Sequence, residues 1–383
     1  MKRMIFCICL FASGALQAQD IAFGRKMLDT LTAPYFWGRG YTNDGMSKAA
    51  TFLEAQFRSY GLEPIKGKSF LQSFSYPVNT FPGDMALTIN GEKLIPGKDF
   101  IVAAETKSIH ASGKLSHKDS VTYINRNDMF IVRLEDKLTM EVASEVADYS
   151  AVVIDKKSLG SIPSSYEVSI DNKFVKDFAA ANICGMVKGT EQPDSFIFIT
   201  AHYDHLGGLG RETYFPGAND NASGVSLLLN LAHYYAQHPQ RYSIGFILFA
   251  GEEAGLIGSK YYTENPLKPL KKIRFLINTD LAGTGEEGIT VVNSSEFPNE
   301  FAMMNEVNDK EKLLTKINPR GKAANSDHYF FTEKGVPSFF FYTLGGIKAY
   351  HDVFDKAQTL PLNEHEDLFR LLINFNRKLM GLN

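Results

Sequence analysis

The sequence predicts an α/β fold: a mixed, mostly parallel central sheet with helices on both faces, interrupted by a β-rich insertion. Three observations predict it. From 181 to 263, short apolar runs alternate with segments of helical periodicity, as strands joined by crossover helices do. Between about 80 and 178 the texture changes to short alternating runs punctuated by "FPGD", "NGEK" and "IPGKD", which read as turns between strands. The chain has 383 residues, 44% of them hydrophobic, enough for one large core or two moderate ones. The expected division is a main domain from 19–79 and 179–383 around an insertion at 80–178.

The elements follow in order. "MKRMIFCICLFASGALQAQD" places Lys2 and Arg3 before an apolar run and ends at Ala18. This reads as a secretory signal peptide over 1–18, too short for a membrane span, and a periplasmic or secreted location is expected. Leu16 is bulky for its place near the cut, so the cleavage site stays open. Residues 20–32 and 45–61 have helical periodicity, with Gly61 as a C-terminal stop. "SFLQSFSYPVN", 69–79, alternates as a strand. Inside the insertion, "DKLTMEVASEVADYS", 136–150, is helix-like and runs straight into "AVVID". Then come strands at "NICGMVKG", "SFIFITA" and "YSIGFILFA", with helices at "ASGVSLLLNLAHYYAQH" and "AGLIGSKYYTEN". "KIRFLINTD", "GITVVNS" and "VPSFFFYT" add strands, and 364–380 closes the chain as a helix. "EVNDKEKLLTK", 306–316, reads as a solvated helix face. No other segment is long and apolar enough to span a bilayer.

Composition excludes some functions. A formal charge of −3 gives no footing for nucleic acid or an anionic membrane surface. Of three cysteines, Cys7 and Cys9 fall in the signal segment, so Cys184 stands alone and no disulfide framework exists. "GTGEEG", 283–288, matches a dinucleotide pattern but precedes a strand and carries two glutamates, so it binds no pyrophosphate. Neither G-x-S-x-G nor a Walker A motif is present. "NSDH", Ser326 to His328, is too local for a catalytic triad and suits a supporting or packing role.

In open α/β sheets, sites form beyond the carboxyl ends of the strands. "FIFITA" ends in His202 and Asp204, "GFILFAG" in Glu252 and Glu253, and "RFLINT" in Asp280. "SFFFYTLGGIKAY" leads to His351 and Asp352, and "PGANDNASG" sets Asp220 before a helix. Two histidines and three carboxylates are donors that suit a pair of Zn²⁺ ions. Three carboxylates and a hydroxide balance two dications, so such a site can be buried. One carboxylate must bridge ions about 3.5–4 Å apart. Glu252, a fourth carboxylate, is then free to take a proton from water. Asp204, two residues after His202, is placed to accept that ring's other N–H and fix its tautomer.

The blocks "AHYDHLG", "PGANDNASGV", "AGEEAGLIGS", "NTDLAG", "NSDHYFF" and "AYHDVFDK", with "GRG" at 38–40, resemble the signature blocks of the co-catalytic di-zinc aminopeptidase family. Its members include glutamate carboxypeptidase, glutaminyl cyclase and the catalytically dead transferrin receptor. The resemblance spans about 181–360 and implies a zinc-peptidase fold. It also implies two Zn²⁺ ions: His202 and Asp280 on one, Glu253 and His351 on the other, Asp220 bridging. Glu252 is then the general base. Tyr350 stands where a relative's tyrosine hydrogen-bonds the tetrahedral intermediate, and the bond Asp220–Asn221 is expected cis. "HDVFDK" departs from the Thr-Pro common after this histidine. The implied function is a secreted or periplasmic metallo-aminopeptidase that uses a metal-bound water to cleave the N-terminal peptide bond of peptides with a free N-terminus. Glutaminyl cyclase chemistry and a non-catalytic binding role are the alternatives. Trp37 is the only tryptophan and Tyr350 precedes His351, which disfavours the cyclase. The insertion is similar to a reduced protease-associated domain through "ADYSAVVID"; an unrelated β-rich insertion fits the same pattern. Residue preference and oligomeric state are not legible.

Overall fold

Alternation along the strand Gln192–His202 sets the layering. Ile197, Ile199 and Ala201 point into one core, with Leu228 and Leu231 of the helix Gly224–Gln237; Phe196 and Phe198 point into another, with Tyr262 and Phe331. Odd and even residues of a strand face opposite sides, so this strand is buried on both. The structure, a computed structural model, describes residues 21–382. The signal-peptide expectation, 1–18, lies outside the described residues.

The main sheet runs in the order Glu63–Pro64, Lys173–Val187, Tyr242–Phe249, Gln192–His202, Ile273–Thr279, Ser338–Thr343, Ile289–Val292, Ile317–Arg320. Leu71–Thr80 also pairs with the long strand Lys173–Val187. The four strands from Tyr242–Phe249 to Ser338–Thr343 are parallel, and antiparallel strands join on either side. The sheet is mixed, as expected. Its parallel character is confined to the centre and to the last pair, Ile289–Val292 with Ile317–Arg320. Helices Ile21–Leu31, Gly45–Tyr60, Gly224–Gln237 and His365–Leu379 pack on one face; Ile257–Glu264 and His328–Glu333 cover the other. Gly61 ends its helix in the left-handed region, φ 79°, as its position predicts. Cys184 is buried and unbonded.

Between the paired strands the chain builds two smaller sheets of five and four strands. Lys173 pairs with Thr80, so the long strand starts inside the stretch expected to be insertion. Their core includes Leu87, Phe100, Phe130 and Val152, together with Leu206, Leu209 and Phe215 from the loop after His202. This packing ties the insertion to the strand end that carries His202.

Two expected helices differ. Residues 136–149 form none. Met140 N–H donates to His351 O, Asn79 N–H to Ala143 O and Ala147 N–H to Glu105 O, so the backbone spends its polar groups on distant partners instead of on itself. The helix Pro298–Glu311 stops where Lys312 turns left-handed at φ 54°. Asn308 then pairs both polar groups of the Leu314 backbone, which buries Leu313 and Leu314 rather than solvating them. No helix of the described residues is long and apolar enough to cross a membrane.

Candidate metal centre

The four parallel strands deliver their polar residues to one end of the sheet. His202 is the last residue of its strand, Asp280 follows Thr279, Glu252 and Glu253 follow Phe249 closely, and His351 sits on the loop after Thr343. Asp220 lies in the single turn Ala218–Ser223 that leads into the helix Gly224–Gln237, and its bond to Asn221 is cis.

The five expected donors converge. His202 Nε2 is 3.3 Å from Asp280 Oδ1 and 3.3 Å from Asp220 Oδ1. His351 Nε2 is 3.1 Å from Asp220 Oδ2 and 3.1 Å from Glu253 Oε2. Asp220 thus turns one oxygen to each of two donor sets, as a bridging carboxylate must. The three carboxylates are almost fully buried, and the only cationic groups paired with them among the described residues are histidines. Buried carboxylates without a cation are costly, so the donor set fits divalent ions. Glu252 also comes close: ligand atoms of His202, Glu252 and Asp280 lie within 4.8 Å of one another.

The profile of peptidase family M28 matches residues 182–376, which holds every one of these donors. The chain belongs to peptidase family M28. It is 27% identical over 250 residues to aminopeptidase YwaD of Bacillus subtilis, covering 64% of this chain and 51% of that one. It is 31% identical over 154 residues to a probable zinc metalloprotease of Pyrenophora teres f. teres, covering 38% of this chain and 31% of that one. The chain therefore spans about half or less of the length of these curated relatives. Its fold matches that of BSAP, a zinc aminopeptidase from Bacillus subtilis, with a TM-score of 0.69 at 18% identity, over 93% of this chain and 94% of that one. An aminopeptidase from Aneurinibacillus sp. strain AM-1 superposes with a TM-score of 0.66 at 19% identity, over 94% of both chains.

Charge separates the carboxylates of this M28 chain. Burial alone raises them all. For Glu253, burial and the Asp220 charge are outweighed by His351 and His205, and its carboxyl is held down at about 2. Asp220 is held well below the carboxylate range, its burial outweighed by hydrogen bonds from His202 and His351. Glu252 goes the other way: burial, with repulsion from Asp327, Glu253 and Asp280, lifts it well above the usual range despite His202. Asp280 is raised as well, by burial and the Asp220 charge despite His202 and Ser326. Carboxylates held low suit cation binding, and a carboxylate of raised proton affinity is the better proton acceptor once ionised.

Asp204 requires a correction. His202 Nδ1 meets the Asp204 main-chain carbonyl at 3.2 Å, while the carboxylate is 3.9 Å away. The carboxylate instead accepts from the backbone N–H groups of Glu252 and Glu253 at 3.1 and 3.3 Å, and Tyr41 donates to it at 3.4 Å. It holds the Glu-Glu turn rather than the imidazole. Tyr350 stacks on His351, ring centroids 4.0 Å apart, and is 42% exposed. Ser326 donates to Asp280 Oδ2 at 3.1 Å, a supporting contact for the "NSDH" block.

Three features of the site are missing from the sequence reading. Met140 lends its carbonyl to His351 Nδ1 at 2.9 Å, so the non-helical 136–149 segment orients a donor. Arg39, fully buried, donates to the carbonyls of Tyr203 (2.9 Å), Leu31 (3.1 Å), Pro216 (2.8 Å), Gly217 (2.8 Å) and Asp220 (3.2 Å). A Cβ on its neighbour Gly40 would come within 2.3 Å of the Gly207 backbone, so only glycine lets this loop approach. Asp355 accepts from the N–H groups of Asn219 and Asp220 at 2.8 and 3.0 Å. Arg39 and Asp355 thus grip the Asp220 peptide from both ends. The flanking glycines of "GRG" were the one signal for Arg39; Asp355 sat unremarked in "HDVFDK". A small pocket is lined by Tyr41, Asn79, Met140 and Leu206, and none of the donors lines it.

Proposed function

We propose that this chain is a zinc-dependent aminopeptidase that removes the N-terminal residue from peptides with a free amino terminus. The observation that carries the reading is Asp220, with one oxygen on His202, which also meets Asp280, and the other on His351, which also meets Glu253. Membership of family M28 supports it, as do relatives named as aminopeptidases. In this reading His202 and Asp280 hold one Zn²⁺, Glu253 and His351 the other, and Asp220 bridges. Bound zinc supplies Lewis acidity: it polarises the scissile carbonyl and lowers the pKa of the attacking water.

The protein's own groups do the rest. The Asp204 and Met140 carbonyls accept from the Nδ1 atoms of His202 and His351, which fixes both tautomers and presents Nε2 as the lone-pair donor. Glu252 takes a proton as the water oxygen bonds to the scissile carbon. It then passes that proton to the departing amine nitrogen as the C–N bond breaks. Tyr350 donates its hydroxyl to the oxygen that gains charge. The segment 1–18 supports export to the periplasm or beyond.

The test is a panel of unblocked, N-acetylated and C-amidated peptides, run with chelator and with zinc restored. Unblocked and C-amidated peptides should lose one N-terminal residue, and chelation should stop this until zinc returns. Equal cleavage of N-acetylated peptides, or turnover indifferent to chelation, contradicts the reading.

A further inference from the structure

His205 is buried completely, three residues after His202, and none of the roles above uses it. Its Nδ1 lies 2.6 Å from Glu253 Oε1, while Glu253 Oε2 faces His351 Nε2 at 3.1 Å. Its Nε2 has no hydrogen-bond partner. A ring kept only for packing would be better served by an apolar side chain, because a buried unpaired nitrogen costs free energy. The ring is also locked in place. Gly217, at φ +59°, leaves it room: a Cβ there would come within 2.3 Å of His205 Cδ2. His351 meets it edge-on with centroids 5.8 Å apart, and its backbone N–H donates to Arg39 O at 3.4 Å.

We propose that His205 is a positioning residue for the second metal ion: it donates Nδ1–H to Glu253 Oε1, so that Glu253 binds the ion through Oε2 alone. This rests on the reading of Glu253 as a ligand. A ligating Glu253 is anionic, so the proton in the 2.6 Å contact belongs to His205. A carboxylate with one oxygen occupied cannot swing between one-oxygen and two-oxygen binding, and outer contacts of this kind orient a ligand and tune its affinity. The pairing treats the two ions unequally, because Asp280 on the other ion is backed by the neutral hydroxyl of Ser326.

Calorimetric zinc titration of the metal-free protein tests this without reference to turnover. Wild type should take up two ions. His205→Leu should bind the first ion as wild type does and the second about 10–100-fold more weakly, the usual cost of losing such a contact. His205→Asn, whose amide N–H can take the place of Nδ1–H, should recover most of that loss. His205→Gln, whose amide reaches toward the Nε2 position, should not. If His205→Leu does not fold, as read from the circular dichroism of the metal-free protein, the Asn and Gln variants decide. Unchanged second-ion affinity in His205→Leu, or equal affinities in the Asn and Gln variants, overturns the inference alone. A wild type that binds fewer than two ions overturns the metal reading and this inference with it.

Discussion

Arg39→Lys should destabilise the metal-free protein by about 2–6 kcal/mol, and the reason is a count of donors. The guanidinium serves five main-chain carbonyls at 2.8–3.2 Å in a place water does not reach. An ammonium has three N–H groups, so two carbonyls lose their donor. Each buried group left unpaired costs about 1–3 kcal/mol, which sets the range. Gly217 O keeps a second partner, the Ala222 N–H at 3.2 Å, so a lysine can give up that contact cheaply and the lower half of the range is expected. Burial lowers the Arg39 pKa to about 10, with Asp220 and Asp355 opposing, so the charge persists at neutral pH in the wild type. Against a typical net stability of about 5–15 kcal/mol, Arg39→Met, which strips all five contacts, should leave little folded protein. Urea unfolding of the metal-free wild type and Arg39→Lys, compared at equal slope, measures the difference. A loss below about 0.5 kcal/mol, the scale of an ordinary surface change, would refute the claim that this side chain holds the Asp220 turn.

Other outcomes follow from the same geometry. Glu252→Gln should keep its zinc and its fold while kcat falls by about 10²–10⁴-fold or more, whereas Glu253→Ala should lose zinc; near-normal turnover in Glu252→Gln would show that the roles are misassigned. Tyr350→Phe should lower kcat by about 10²-fold, the scale of one oxyanion donor, with zinc content unchanged; a pure rise in KM would place the hydroxyl in ground-state binding instead. Zinc affinity should rise with pH. His351 is pushed up to about 11 and His202 well above its ordinary value, because their carboxylate partners outweigh burial. Both rings therefore carry protons at neutral pH in the metal-free protein. Zinc must displace them, so acid competes with the metal, and each displaced proton makes the apparent affinity about tenfold weaker per unit of falling pH. Chelator competition between pH 6 and 8 measures this, and a flat profile would contradict it.

What the sequence made legible was local. A β-branched or aromatic run that ends in His, Asp or Glu announces both a buried strand and the polar residue at its end, and so His202, Glu252, Glu253 and Asp280 could be collected by eye. His351 lies eight residues past its strand and Asp220 sits in a turn; for these the motif resemblance carried more than periodicity did. What was not legible depends on partners far away in the chain. Arg39 binds carbonyls up to 181 residues distant, and no spacing rule reports that. The helix expected over 136–150 has adequate local propensity, but Met140, Ala143 and Ala147 find main-chain partners at His351, Asn79 and Glu105, and tertiary pairing outweighs propensity. A spacing of two residues from His202 points to the Asp204 carboxylate, but the strand's exit turns its carbonyl, not its carboxylate, to the ring. His205 was visible in "HYDH" but had no assignable partner until Glu253 was placed beside it.

The central claim is that Asp220 joins two metal sites into one. Zinc content per chain, measured by elemental analysis after dialysis against trace zinc, tests it directly when wild type is compared with Asp220→Asn and His351→Ala. The account predicts two zinc ions in wild type, one in His351→Ala, and a loss from both sites in Asp220→Asn. A wild type without zinc under these conditions, or an Asp220→Asn variant that holds two ions as tightly as wild type, would contradict it.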